Sequence, residues 1–196
     1  MKNGEIRQGL IDGTIRVIAK EGLEKASTKL IGTTTSINEV YIYRCFKSKE
    51  DMFNETFAFL DDELVTKVLQ HIDVMYMQEF EFLIRCKIFF NSIWRFLLGN
   101  RDKCVTYIRY YYSPYFQKFS AEKHKERFAP LLNKFKDAFH VESNVWMILN
   151  YILGTMLMFA VKVFNGAVPD DDDTSEHVFK IIYASISQYL KENKNK

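Results

Sequence analysis

INEVYIYRCFKSKED, residues 37–51, crowds two tyrosines and an arginine around Ile42 and Phe46, then runs into Lys-Ser-Lys and two acids. Taken as a helix that starts after Asn38 and reaches Phe46, at roughly 100° per residue, it puts Ile42 and Phe46 on one buried face, four residues apart. Ile37 precedes the cap and Ile42 follows it by four positions, the spacing of a hydrophobic staple. Val40 and Arg44 lie on the opposite face, flanked by Tyr41 and Tyr43. Such a helix shows solvent a methyl group, a guanidinium and two phenols, where an ordinary surface helix shows Glu and Lys. Arginine reads guanine edges, apolar groups touch the thymine methyl, and tyrosine hydroxyls bond phosphate oxygens.

SKED, residues 48–51, has the form of a helix start, with Ser48 as N-cap and Asp51 at the third helical position. The free N–H groups and positive dipole end of a helix N-terminus seat a phosphate, and Lys47 and Lys49 stand beside this one. From Lys25 to Lys49 five basic residues face a single acid, Glu39, while the whole chain carries 27 basic and 25 acidic side chains. The charge is local.

The chain has 196 residues, 47% apolar and 15% aromatic, with eight glycines and three prolines. That composition and its long periodic segments predict an all-helical protein with a substantial core. Cys45, Cys86 and Cys104 are odd in number and isolated, and the four histidines are scattered. Neither set has metal or redox spacing, so no metal and no cofactor are expected, and a reducing cytoplasm is the simplest compartment. The start, MKNGEIRQGL, has no apolar signal core. One segment pulls the other way: SNVWMILNYILGTMLMFAV, residues 143–161, carries no charge and nears the length of a membrane span. With no second such segment and no flanking basic cluster, a helix buried between its own core and a partner subunit is preferred, and no membrane is expected.

Along the chain, a first helix is predicted from about Glu5 to Glu21, with Leu10, Ile11, Val17 and Ile18 facing inward and Gly22 as its C-terminal cap. Ser27 caps a short helix, TKLIGTT, and the turn TSI leads into the helix described above. Helix, short helix, three-residue turn, helix is the helix-turn-helix arrangement, whose last helix enters the major groove. A long connector follows from Lys49 toward His71. Five more helices are expected: residues 79–98, 102–112, 120–139 with Pro130 kinking it, 143 to Asn165-Gly166, and Ser175 to Lys191. The aspartates of PDDDD form a solvated loop before the last one.

Together, LIDGTIRVIAKEGLEKASTKLI and SINEVYIYRCFKSKEDMF resemble the N-terminal DNA-binding region of the TetR family of transcriptional repressors over roughly residues 10–55. The resemblance implies a homodimer with a three-helix helix-turn-helix domain, residues 1–47, and a larger helical ligand-binding and dimerisation domain, residues 48–196. The partners it implies are double-stranded DNA at a pseudo-palindromic operator and a small-molecule effector that lowers operator affinity. By position it implies that Thr28 and Lys29 touch the DNA backbone or a base edge, that Asn38, Glu39, Val40, Tyr41, Tyr43 and Arg44 line the recognition helix, and that Lys49 meets a phosphate. The chain departs from the family pattern at Ser36, where glycine is usual, at Val40, where a small residue is usual, and at Thr33, Thr34 and Thr35, which are weak helix formers.

The middle of the chain is dense in aromatics. A pocket lined by Trp94, Tyr107, Tyr110, Tyr111, Phe128 and Trp146, with Asn150 as a polar contact, suits a small apolar or aromatic effector. Glu79 or Glu81 could also supply the polar contact. The alternatives are a helical enzyme with an aromatic pocket and a membrane-tethered helical protein. No phosphate loop, nucleophile elbow or paired acids support the enzyme, so none is expected.

Overall fold

The structure is a computed structural model and describes residues 3–191. Residues 1–2 and 192–196, the outer ends of the two expected domains, lie outside them. Among the described residues nine α-helices follow one another: α1 Asn3–Glu21, α2 Thr28–Thr35, α3 Val40–Cys45, α4 Lys49–His71, α5 Phe82–Leu98, α6 Arg101–Tyr111, α7 Ala121–Phe135, α8 Val145–Phe164 and α9 Asp172–Ile186. The only extended pairing among these residues is a single bridge, Phe139 with Leu190. The all-helical expectation holds.

Several boundaries differ from those expected. The recognition helix is shorter, Val40–Cys45, and an Asx turn in which Asn38 Oδ1 accepts from the Val40 N–H at 3.0 Å precedes it. The fifth helix starts at Phe82 rather than Glu79. Pro130 sits inside α7 without ending it; a π turn, Phe116–Ser120, precedes this helix and a 3-10 turn, Lys136–Ala138, follows it. The aspartate run is not all loop. Asp171 caps α9 by accepting from the Thr174 N–H at 2.8 Å, and Asp172 and Asp173 occupy the first turn, where the dipole favours them. The same helix ends at Ile186, with a 3-10 turn to Tyr189, short of the expected Lys191.

By its contacts the chain divides into two units, and the division is not one cut along the sequence: residues up to Glu63 group with Asp102–Glu126, and Leu64–Arg101 groups with residues from Arg127 onward. In the first unit α1 buries Leu10, Ile11, Ile15, Val17 and Ile18. Gly22, at φ +90°, ends it, donating to the Ile18 carbonyl at 3.0 Å. The Arg109 guanidinium of α6 also donates to carbonyls at that end, those of Ile18 and Ala19, and the Thr106 hydroxyl donates to Ile15 O at 2.9 Å. So α6 completes the C-terminus of α1. Asp61 of α4 is wholly buried and accepts from Tyr107 Oη at 2.9 Å and from His124 Nδ1 at 2.9 and 3.0 Å. Phe57, one turn earlier, stacks on Tyr110 with ring centroids 4.7 Å apart. The Tyr110 hydroxyl pairs with Ser120 Oγ, which donates to Asn54 Oδ1. These bonds pair the buried oxygens of Asp61, Tyr107, Tyr110 and Ser120, whose burial would otherwise be costly.

The second unit is built from the end of α4, α5, the rest of α7, α8 and α9. Phe90, Ile93, Trp94 and Leu97 of α5 pack inward with Met156, Leu157 and Ala160 of α8 and Val178, Phe179 and Ile182 of α9. Near the end of the described chain, His140 donates to Tyr189 O and Lys191 to Ala138 O, which fastens this segment beside Phe139.

The turn between α2 and α3 is close-packed. A Cβ on Gly32 would lie 2.9 Å from the carbonyl oxygen of Ile37, and one on Gly13 would lie 2.0 Å from Thr35 Cγ2. Ser36 takes the left-handed conformation, φ 55°, in which glycine is the unstrained residue. The weak helix formers around it are anchored locally: Thr33 Oγ1 donates to Lys29 O and Thr35 Oγ1 to Ile31 O, both at 2.9 Å. Two substitutions four residues apart should therefore act with opposite sign. Ser36→Gly should raise stability by about 0.5–1 kcal/mol by relieving the left-handed strain. Gly32→Ala should lower it by about 1–3 kcal/mol, because its methyl meets backbone rather than a movable side chain. Urea unfolding checks both; Gly32→Ala at or above wild-type stability contradicts the close packing.

Candidate functional site

The reader surface is assembled as follows. Ser27 caps α2 by accepting from the Leu30 N–H at 3.2 Å, which brings Thr28 and the exposed Lys29 to its first turn. Behind α3, Ile42 is fully buried and Phe46 is 4% exposed, so the helix is anchored through the expected pair. On its outer face Val40 is 53% and Tyr43 63% exposed, with Asn38, Glu39 and Arg44 exposed beside them. The Arg44 guanidinium lies 5.0 Å from the centroid of the half-buried Tyr41 ring, a cation–π contact that limits its rotamers before any partner arrives. Arg7 braces the back of the helix, bonding Glu55 at 2.8 Å and lying over the Phe46 ring.

At the start of α4 Ser48 Oγ accepts from the Asp51 N–H at 3.1 Å, and Asp51 in turn accepts from the Lys47 N–H at 2.9 Å. This reciprocal pair uses two donors of the helix start internally. The Glu50 carboxyl is held below its usual range by its own backbone N–H and then by the Ser48 hydroxyl. Two acids thus occupy the turn read as a phosphate seat. What remains outward are the side chains of Lys47, exposed, and Lys49, half-exposed with its ammonium over the Phe53 ring at 5.5 Å.

The seven residues expected around an effector fall into separate places. Tyr107, Tyr110 and Tyr111 belong to the first unit, around Asp61 and His124, where burial pushes the phenols of Tyr110 and Tyr111 above their usual range. In the second unit Trp94 stacks on Phe90, while Trp146 packs edge-on against Phe128 and accepts at its carbonyl from Asn150 Nδ2 at 2.8 Å. Of the seven, Phe128 alone lines the second unit's apolar cavity.

That cavity, of about 120 Å³, is walled by Leu64 and Val68 of α4, Phe82, Cys86, Phe89 and Phe90 of α5, Phe128, Leu131 and Phe135 of α7, Leu149, Leu153 and Met156 of α8, and Phe179, Ile182 and Tyr183 of α9. Its wall is almost wholly apolar. Burial pushes the Cys86 thiol up to about 12 and raises the Tyr183 phenol, so both stay neutral near pH 7. A polar groove of about 650 Å³ adjoins it and shares Met75, Phe82, Phe135 and Ala138 with it; Glu79, Glu81 and Arg85 line the groove. Sequence reasoning missed the cavity because its lining is spread over five helices and consists of residues indistinguishable from core. Among the described residues no group of three or more His, Cys, Asp or Glu could hold a metal ion.

Two features on α8 bear on partners. The helix is long and apolar enough to cross a membrane, by length and composition, with 22% of the relevant window buried. Met147, Tyr151 and Met158 are exposed along one stripe of it, and a Cβ on Gly154, on the same stripe, would meet nothing within 4 Å.

Comparison with known proteins agrees with this geometry. Residues 10–56 match the family described as bacterial regulatory proteins, tetR family. The chain is 33% identical over 67 residues to the HTH-type nicotine-responsive transcriptional repressor HdnoR of Paenarthrobacter nicotinovorans, a match that spans 34% of each protein. In fold it is similar to a TetR family transcription regulator from Marinobacter aquaeolei VT8, with TM-score 0.76 and 15% identity over 94% of this chain and 96% of that one. It is also similar to FadR from Bacillus subtilis in complex with stearoyl-CoA, with TM-score 0.65 and 17% identity over 89% and 96% of the two chains. Residues 10–56 thus carry the DNA-binding region of the tetR family, and the chain as a whole has the fold of TetR family regulators.

Proposed function

We propose that the protein is a homodimeric repressor that reads a pseudo-palindromic operator through α3 and is released by a small apolar or aromatic effector held in the second unit's cavity. The observation that carries this is the outer face of α3. Val40, Tyr43 and Arg44 stand in solvent on a helix pinned from behind, a composition suited to base edges and phosphates and unrewarded otherwise. Asn38, Glu39, Tyr41, Thr28 and Lys29 surround that face, and Lys47 and Lys49 supply phosphate contacts through their side chains. The cavity supports the effector: it is apolar and of the order of one ring in volume. HdnoR is nicotine-responsive and FadR is in complex with stearoyl-CoA, which is in keeping with such a site. Helix α4 supports the link, since Phe53 and Phe57 lie in the core of the reader unit and Leu64 and Val68 in the cavity wall. The exposed stripe of α8, continued by Ile181 on α9, supports the dimer.

Footprinting on genomic fragments tests the reading and yields the operator. Arg44→Ala should weaken operator binding by about 1–3 kcal/mol and relax preference at one base position. Lys49→Ala should weaken all sequences alike and flatten the salt dependence. Wild-type binding by both variants contradicts the placement of the reader.

Gly154→Arg separates dimer from monomer without disturbing the protomer, because its side chain has open space. Sedimentation at micromolar concentration should show wild type as a dimer and Gly154→Arg shifted to monomer. A wild-type monomer contradicts the two-fold arrangement.

A further inference from the structure

Arg85 is 8% exposed, yet among the described residues it is paired with no carboxylate. Its Nη1 donates to Met75 O at 2.8 Å, its Cζ lies 5.4 Å from the centroid of the Phe82 ring, and its Nε is buried with no hydrogen-bond partner among those residues. A buried cation normally demands an ion pair and filled donors, because desolvation is otherwise uncompensated. The two groups that hold this guanidinium, Met75 and Phe82, belong to the wall shared by the apolar cavity and the polar groove. The charge therefore stands where a molecule filling the cavity would bring out its head. With Nη1 taken by a carbonyl, the fork's remaining edge runs through Nε, the edge that receives a carboxylate in bidentate fashion.

We infer that the effector is an amphipathic organic acid, with a ring-sized apolar body in the cavity and a carboxylate on Arg85. This rests on the cavity being the effector site. The body size follows from the volume: about 120 Å³ here, against roughly 150 Å³ for an apolar cavity that takes up benzene. The acids of the groove, Glu79, Glu81 and Asp137, are exposed to solvent, so they screen rather than fill the buried fork. They also disfavour an acid left in the open groove, so binding depends on reaching Arg85.

Phenylbutyrate, phenylbutanol and phenylbutylamine share ring and chain and differ in head charge. In calorimetric titration of the full chain, phenylbutyrate should bind at least about tenfold more tightly than phenylbutanol, with the amine weakest. Arg85→Gln should bring phenylbutyrate to within about twofold of phenylbutanol and leave phenylbutanol unchanged, while Arg85→Lys retains part of the difference. Leu153→Trp, which fills the cavity, should abolish binding of acid and alcohol together. The wild-type comparison needs no variant, so a misfolded Arg85→Gln leaves the inference exposed to refutation. Equal binding of acid and alcohol, or tightest binding of the amine, overturns Arg85 as the head-group site and leaves the cavity standing. Acid binding that survives Leu153→Trp overturns the inference too, since it then occurs on surface cations. Binding by none of the three overturns this inference and the cavity reading together.

Discussion

A carboxyl group cut off from water must find every partner inside the protein, and Asp61 does so with His124 and Tyr107. Those partners come from α7 and α6, so one side chain of α4 fastens two distant stretches of chain to the same point. Arg109 and Thr106, on the same α6, then complete the end of α1. The position of the reader's first helix thus depends on a polar cluster far from it in sequence. A network of this kind holds one geometry when every member is satisfied and is expensive to leave half-made. It ties the part of α4 that precedes the cavity wall to the helix that supports α3.

This dependence explains why the reader cannot be understood as three helices alone. The anchoring of α3 through Ile42 and Phe46 is local, and so is the cap at Ser27. The placement of α1 is not: it draws on α6, which lies beyond α5 in the sequence and yet groups with the reader by its contacts. On the proposed account the effector acts on the final turns of α4, through Leu64 and Val68, while Asp61 and Phe57 hold its earlier turns.

What was legible in the sequence was local. Gly22, Ser27, Ser48 with Asp51, and the inward pair on α3 are features that a few neighbouring residues determine, and each stands where its spacing required. Ser36 was marked only by the family resemblance, which expects glycine at the position where φ is 55°. The aspartate run misled because a cap and a loop have the same composition; only the Thr174 N–H makes Asp171 a cap. The aromatics were legible as a group but not as places. Tyr107, Tyr110 and Tyr111 went to the first unit's buried polar cluster, and Trp94, Phe128 and Trp146 to the second, because partition among cores depends on tertiary packing that no spacing encodes. Arg85 was not legible at all, since nothing in its neighbours says that it is buried without an acid.

The central claim is that cavity and reader are one coupled system, and reciprocity tests it most directly. If phenylbutyrate in the cavity favours the arrangement that does not bind DNA, operator affinity at saturating phenylbutyrate should fall by a factor of about 5–150. Saturating operator DNA should then weaken phenylbutyrate binding by the same factor, because the two affinities share one coupling free energy. Equal factors in the two directions are what the account predicts. Phenylbutyrate that binds the cavity while operator affinity stays unchanged contradicts it.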